Sequence, residues 1–477
     1  MRCLLVFVIL VCLPGIFNYQ GRNDVVPKIV IDNVNYFLHN TEKEALHWFC
    51  LVLGICSTNV SFAQKQPQLH VKYGWGQLEF DWQSQSQRQE YISNRKYIPG
   101  ISAPIDVDVY YSPDGNQYNK IFVTIPRFQE GVPIGLGTVT DNKSDGNPII
   151  TPYPNWSWHL NSEQCNLNRI VSVYRIKIDE CGRLWVLDNG RLVDTIICPP
   201  QILVFDLKTN KLLSSYEIPR SQYEKRSIFV TPIVDVRNQC RDTFVYAADC
   251  QANALVVYDY NNGNSWRVTD KTFYPYPDYG TYNILGHSFD LMDGILGMDL
   301  EPLNRGDRKL FYQAMSSPTL NWVYTSDLKN QSRFASDSGS SPQIFHTYRA
   351  RRDTQSAAMA IDKDGISYSG LMSEVQLICW NTQAPEYGPK FWEVVANNKE
   401  TLQFISGIKV INNYKKNYQE LWAVTSRFQR VADGSIDVND VNFRILVEKV
   451  DDITFSTRCK KRGPSGPPGG GYGLFRP

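Results

Sequence analysis

Leu184-Trp-Val-Leu-Asp-Asn-Gly190 is an extended apolar run that stops on a polar turn, and five other segments share its form. They are Ile121-Phe-Val-Thr-Ile-Pro-Arg127, Phe244-Val-Tyr-Ala-Ala-Asp249, Leu310-Phe-Tyr-Gln-Ala-Met315, Ile366-Ser-Tyr-Ser-Gly-Leu371 and Leu421-Trp-Ala-Val-Thr-Ser-Arg427. The six copies begin 63, 60, 66, 56 and 55 residues apart. Such a period is too long for a hairpin and too short for a domain, so each repeat encodes one multi-stranded sheet. The reading is all-β, a six-bladed β-propeller, and it directs the search for function to the central channel.

The flanking sequence agrees. Ile105-Asp-Val-Asp-Val-Tyr110 alternates ahead of one copy, and Met359-Ala-Ile-Asp-Lys-Asp-Gly365 leads through an Asp-Gly turn into another; period-two apolarity with Asp-Gly is a hairpin signal. Third strands follow the copies, as in Gln201-Ile-Leu-Val-Phe-Asp206 and Leu255-Val-Val-Tyr-Asp259. Gln77-Leu-Glu-Phe-Asp-Trp82 is the expected closing strand, joining last blade to first. Asp179, Asp299 and Asp362 recur at similar repeat positions, which argues for turn roles.

Composition excludes several classes. With 49 basic and 48 acidic residues there is no electrostatic footprint for nucleic acid or for a polybasic membrane contact. No Walker loop, Gly-x-Ser-x-Gly elbow, dinucleotide fingerprint or His-x-x-x-His pair occurs, so neither a cofactor nor a metal is expected. His159 and His287 are isolated imidazoles that could move a proton, although a lone His is more often structural. The aromatic stretch Pro152-Tyr-Pro-Asn-Trp-Ser-Trp-His159 reads as packing over the next blade rather than as a ligand box.

Two apolar segments compete as a secretion signal, Leu4 to Leu13 and Trp48 to Cys56, and the second ends in Val60-Ser-Phe-Ala63. Cleavage after Ala63 gives residues 1–63 as signal region with an upstream extension, 64–450 as propeller and 451–477 as a disordered Gly/Pro-rich tail; the alternative is that the second segment is retained as an anchor. Cleavage implies a secreted, extracellular protein with no membrane segment in the mature form. Seven cysteines then remain, and disulfides are the default in an oxidising compartment. Cys181 with Cys198 would flank a hairpin, and Cys165 with Cys240 would tie adjacent repeats. The odd number leaves at least one thiol free or intermolecular. Sequons at Asn142, Asn155 and Asn330, with a further one at Asn59, fit a secretory glycoprotein.

Longer phrases are more specific still. Ile178-Asp-Glu-Cys-Gly-Arg-Leu-Trp-Val-Leu-Asp-Asn-Gly190, Cys198-Pro-Pro-Gln-Ile-Leu-Val-Phe-Asp-Leu207, Ile295-Leu-Gly-Met-Asp-Leu300 and Val441-Asn-Phe-Arg-Ile-Leu446 closely resemble the insect yellow and major royal jelly protein family over residues 73–450. Thr425-Ser-Arg-Phe-Gln429 and Asn442-Phe-Arg-Ile445 look more like its yellow branch. The resemblance implies a secreted, disulfide-tied propeller of the cuticle melanin (pigmentation) pathway that binds a small catechol- or indole-derived ligand in its channel. A dopachrome-converting isomerase is the alternative, and structural or storage use of royal jelly type a second one. Phe404-Ile-Ser406 and Ser426-Arg-Phe428 resemble the amine pocket of salivary relatives, which makes Phe404, Ser406, Arg427 and Phe428 the candidate ligand residues. Arg427 stands where amine binders carry Asn, and a cation there is expected to favour a carboxylate or phenolate ligand.

Overall fold

The repeated phrase is the second strand of every blade. In the computed structural model, which describes residues 69–112, 119–160, 165, 168–304 and 306–460, the copies lie in strands Lys120–Thr124, Arg183–Asp188, Asp242–Asp249, Lys309–Ala314, Ile366–Leu371 and Tyr418–Thr425. The third residue of each copy, Val123, Val186, Tyr246, Tyr312, Tyr368 and Ala423, is fully buried. That position fills the wedge between neighbouring blades, where burial of large apolar groups is the main favourable contribution.

Each copy pairs inward with a strand that faces the axis. These inner strands are Asp106–Tyr110, Val173–Ile178, Phe229–Arg237, Ile295–Leu300, Met359–Ile361 and Ile405–Asn413, and each packs beside the next to close a ring. Closure of the last blade is by an N-terminal strand: His70–Trp75 pairs antiparallel with Phe443–Lys449. The expected closing segment, Gln77 to Trp82, does something else. Its Glu79–Phe80 adds in parallel to the outer strand Asn147–Pro152 of blade 1.

Inner strands have no sheet neighbour on the axial side, so their outward N–H and C=O groups need side-chain partners. Asp108 supplies one by accepting from Ile178 N at 2.8 Å, and Asp299 repeats the bond three blades further round, accepting from Ile361 N at 2.7 Å. Asp299 is therefore an inter-blade stitch rather than a turn residue. Asp179 and Asp362 do hold turns, each accepting two backbone N–H groups of its own hairpin.

The disulfides correct the expected pairing. Cys181 bonds Cys240 and Cys165 bonds Cys198, with Cα atoms 6.1 and 5.2 Å apart. Cys181 precedes strand Arg183–Asp188 and Cys198 follows it; a six-residue strand spans roughly 20 Å, far beyond the ~7 Å a disulfide bridges. Cys181 instead meets Cys240 because both sit in first-hairpin turns of adjacent blades on one face of the ring. The remaining thiol, Cys250, is free and buried.

A third bridge, Cys379–Cys459, changes the tail boundary. Residues 451–459, expected to be disordered, carry the helical turn Val450–Thr454, and Cys459 is fully buried. Residues 461–477 and the whole signal region lie outside the described residues. Removing this bridge in the double variant Cys379→Ala/Cys459→Ala should cost about 2–4 kcal/mol, through the freedom gained by the unfolded chain and lost packing. Urea unfolding would measure it, and limited proteolysis should then cut first within residues 450–460.

Candidate functional site

The axis of the ring is filled rather than open. Arg175, on the inner strand of blade 2, donates to Thr231 Oγ1 (2.8 Å), Leu296 O (2.5 Å), Ala357 O (2.9 Å) and Ser406 O (2.6 Å), and so touches four other blades. Below it Lys409 Nζ meets Asp106 Oδ2 at 2.6 Å. This approach requires glycine at position 407, because a Cβ there would stand 2.5 Å from Asp106 Oδ1. Lys177 completes the cluster: burial works against its ammonium, but Asp299, Asp108 and Asp106 outweigh burial and raise its pKa. Asp108 is pushed up to about 6 by burial, against the pull of Lys409 and Lys177. The space left among these side chains is about 10 Å³, enough for one water. A catechol does not fit there.

The upper end, where the inner strands begin, is different. The loop from blade 3 to blade 4 carries a hairpin, Thr281–Ile284 and His287–Asp290, whose tip reaches Asp433 of blade 6, the blade opposite blade 3. It therefore crosses the mouth of the channel. Beneath it Phe289 lies 6.3 Å from Phe404 and 5.7 Å from Phe428, ring centre to ring centre, while Phe404 and Phe428 are 5.0 Å apart and Phe128 is 5.8 Å from Phe428. Tyr282 stacks on Phe289 at 4.8 Å.

Two polar groups lie near this aromatic cluster: Asp293, whose charge acts on Tyr282, and Tyr174, which packs against the same core. Asp293 follows the hairpin; Gln251 Nε2 donates to its Oδ1, and Oδ2 has no hydrogen bond among the described residues. Burial pushes its carboxyl up to about 6, against the Gln251 hydrogen bond. Tyr174, at the upper end of the blade 2 inner strand, also carries a hydroxyl with no hydrogen-bond partner among the described residues. Its phenol is raised first by burial and then by the Cys250 thiol and the Asp293 carboxyl.

Of the four residues read from sequence, Phe404 and Phe428 meet at this mouth. Ser406 does not present its hydroxyl there: it is buried, its Oγ donates to Val424 O at 3.3 Å, and its carbonyl accepts from Arg175. Arg427 is turned away. Its guanidinium, 4% exposed, donates to Glu400 Oε1 at 2.6 Å and lies 3.7 Å from Asp440, so its charge is spent within blade 6. The expectation that Arg427 selects an acidic ligand fails on this geometry.

The isolated histidines separate as well. His159 is buried, accepts from Gly135 N at Nδ1 and donates from Nε2 to Tyr153 O; burial and the Arg127 charge push its pKa down to about 3. It is a neutral packing residue. Its neighbours Trp156 and Trp158 pack on Trp82 and Phe205, as the aromatic stretch suggested. Asn142, Asn155 and Asn330 are all exposed, as acceptor sites for glycan must be.

Tyr174, Asp293, Gln251 and Phe289 escaped the sequence reading. No local motif marks them, because they come from four different loops or strand ends. The usable signal was positional: once the inner strands are assigned, the residues at their first ends line one mouth.

Comparison with known proteins decides the lineage. The family described as Major royal jelly protein matches residues 171–459. The chain is 40% identical over 404 residues to Major royal jelly protein 9 of Apis mellifera, covering 82% of this chain and 90% of that protein. The chain belongs to the major royal jelly protein family. The same family includes relatives named for pigment chemistry: Dopaminechrome tautomerase of Drosophila melanogaster is 31% identical over 414 residues, covering 84% of this chain and 87% of that one. Protein yellow of Drosophila pseudoobscura pseudoobscura is 29% identical over 430 residues, covering 87% and 73%. In this major royal jelly protein family chain, then, the propeller expected from the repeat and the lineage expected from its embedded phrases coincide.

Proposed function

We propose that this is a secreted protein of the pigmentation pathway that binds a small catechol- or indole-derived ligand at the channel mouth. The observation that carries the reading is a phenol, Tyr174, packed in the same core as Phe289, Phe404 and Phe428, and a carboxylate oxygen, Asp293 Oδ2, close enough to act on that phenol and on Tyr282, neither with a hydrogen bond among the described residues. An aromatic wall accepts a flat ring, and the two polar groups fix its orientation. With Arg427 neutralised and Asp293 present, the charge of the mouth favours a ligand that carries an ammonium over one that carries a carboxylate. Three disulfides support the extracellular assignment, and no helix among the described residues is long and apolar enough to cross a membrane.

Calorimetric titration of the purified protein with dopamine and serotonin, set against their carboxylated counterparts dopa and 5-hydroxytryptophan, tests this. The amines should bind at least about tenfold more tightly, the worth of one charge-assisted hydrogen bond. Equal or tighter binding of the acids would refute the charge assignment, and no binding of any of the four would refute the ligand class.

A second reading has its own support. A carboxyl near pKa 6 beside a phenol is a proton acceptor and donor pair of the kind a tautomerase needs, and one relative is named for that reaction. Incubation with fresh dopaminechrome, followed through loss of its visible absorbance against a boiled control, separates turnover from binding.

A further inference from the structure

We propose that the guanidinium cluster of blade 6, Arg427 with Arg430 and Arg444, is a binding site for a divalent oxyanion, a phosphate or sulfate group, and that Glu400 occupies it in the free protein. The site is separate from the aromatic mouth and does not rest on the ligand reading above.

Three arginines converge on two carboxylates. Arg427 Nη2 donates to Glu400 Oε1 at 2.6 Å and Arg444 Nη2 donates to the same oxygen, while Arg427 Nη1 and Arg430 Nη1 lie 3.7 and 3.4 Å from Asp440 Oδ2. The other carboxylates of the neighbouring loop are engaged elsewhere, Asp433 with His287 and Ser435, and Asp437 with Asn439. Each arginine has a counter-charge, yet the group as a whole keeps a positive charge in excess. Its effect reaches Arg444, whose pKa is lowered first by burial and then by the Arg427 charge, against the pull of Glu400.

Donors outnumber acceptors as well. The buried Arg427 Nε and Nη1 have no hydrogen bond among the described residues, and neither has Arg430 Nε. Thr425 pairs directly across the sheet from Arg444 and so projects on the same face; its buried hydroxyl is unpartnered too. Buried donors are almost always satisfied in folded proteins, so this concentration in one corner of one blade points to an acceptor from outside the chain. Water supplies acceptors but not charge, and the excess positive charge selects an anion. A carboxylate matches the set poorly. Glu400 offers one oxygen to two guanidiniums and leaves the Nε edge of Arg427 unused, whereas a tetrahedral anion brings three oxygens and two charges.

The covers of the site are its most exposed parts. The Arg427 and Arg444 side chains are 4% and 7% exposed, against 63% and 55% for Glu400 and Asp440. Both carboxylates stand on turns outside the strands, so they can swing into solvent while the sheet holds the arginines in place. Binding is then an exchange: the Glu400 carboxylate leaves and the oxyanion enters.

Calorimetric titration of the secreted protein with inorganic phosphate and with inorganic sulfate, at fixed ionic strength in chloride, tests the site. One ion should bind per chain. Glu400→Gln, a change at an exposed residue, should tighten binding by about tenfold because the competing charge is gone, and Arg444→Gln should weaken it by about tenfold, the worth of one charge-assisted hydrogen bond. Should Arg444→Gln fail to fold, Arg430→Gln, at a more exposed position, reads the same loss. Phenyl phosphate and phenyl sulfate separate the sources: esters that bind as tightly as the free ions assign the site to a phosphorylated or sulfated molecule, and esters that do not bind assign it to the free ion. No binding of either ion to Glu400→Gln overturns the site. Equal affinity in wild type and Glu400→Gln overturns the exchange, and binding left unchanged by both arginine variants puts the ion elsewhere.

Discussion

Arg175→Met should destabilise the protein by about 3–5 kcal/mol, the usual cost of removing one partner from a buried charged network. Methionine fills most of the volume, so the loss is not a cavity effect. It comes from Ala357 O, Ser406 O and Thr231 Oγ1, buried acceptors that Arg175 serves on blades 5, 6 and 3, while its fourth acceptor, Leu296 O, keeps the bond from Thr231 Oγ1. Each acceptor left without a donor costs about 1–3 kcal/mol, reduced where water from the channel can reach it. Asp106, whose charge supports the guanidinium, would also be left with Lys409 as its main counter-charge. Arg175→Lys keeps the charge but not the fork of donors, so it should fall between wild type and methionine. Urea unfolding of the three proteins checks the order. A methionine variant within 1 kcal/mol of wild type would mean that water satisfies the channel carbonyls and that Arg175 does not tie the ring; ~1 kcal/mol is the worth of a single ordinary hydrogen bond.

The same residue shows why the fold was legible and the channel was not. The second strands repeat because every blade needs the same buried third position between neighbours, and that need is written as a period in the sequence. Arg175 has no counterpart in the other repeats. It acts once, at the axis, through bonds to residues 56 to 231 positions away. Local patterning carries no trace of such contacts. The disulfides failed for a related reason: spacing along the chain does not reveal which face of the ring a turn occupies, and the face decides the partner. His70–Trp75 and Gln77 to Trp82 both alternate, and pairing with Phe443–Lys449 rather than pattern selects between them.

Arg427 illustrates the limit of reading charge from residue type. It stands next to Phe428, whose ring joins Phe404 and Phe289. The backbone at Arg427 is left-handed, φ +40°, at the start of the helix Phe428–Ala432, and its guanidinium goes to Glu400 and Asp440 instead. A site argument based on an arginine needs the direction of the side chain as well as its position. Asp293, whose carboxyl acts on Tyr174 and Tyr282, was marked by no motif.

Asp293→Asn should abolish the preference for amines over acids and weaken dopamine binding at pH 7.5 by about tenfold or more, the worth of a hydrogen bond to a charged group. Asparagine matches aspartate in size, and its carbonyl can still accept from Gln251, so the loop keeps its shape. Stability should hold or rise slightly, because burial already disfavours the ionised carboxyl that the substitution removes. The pH profile makes the test stricter. With its carboxyl titrating at about 6, wild-type Asp293 is mostly ionised above pH 7 and mostly protonated below pH 5. An ammonium ligand needs the ionised form, so affinity should rise with pH across that window and approach a tenfold change per unit on its acid side. The asparagine variant should be flat over the same range. A variant that still favours dopamine over dopa, or a wild-type profile without the slope, would place the recognition of charge elsewhere than at the mouth.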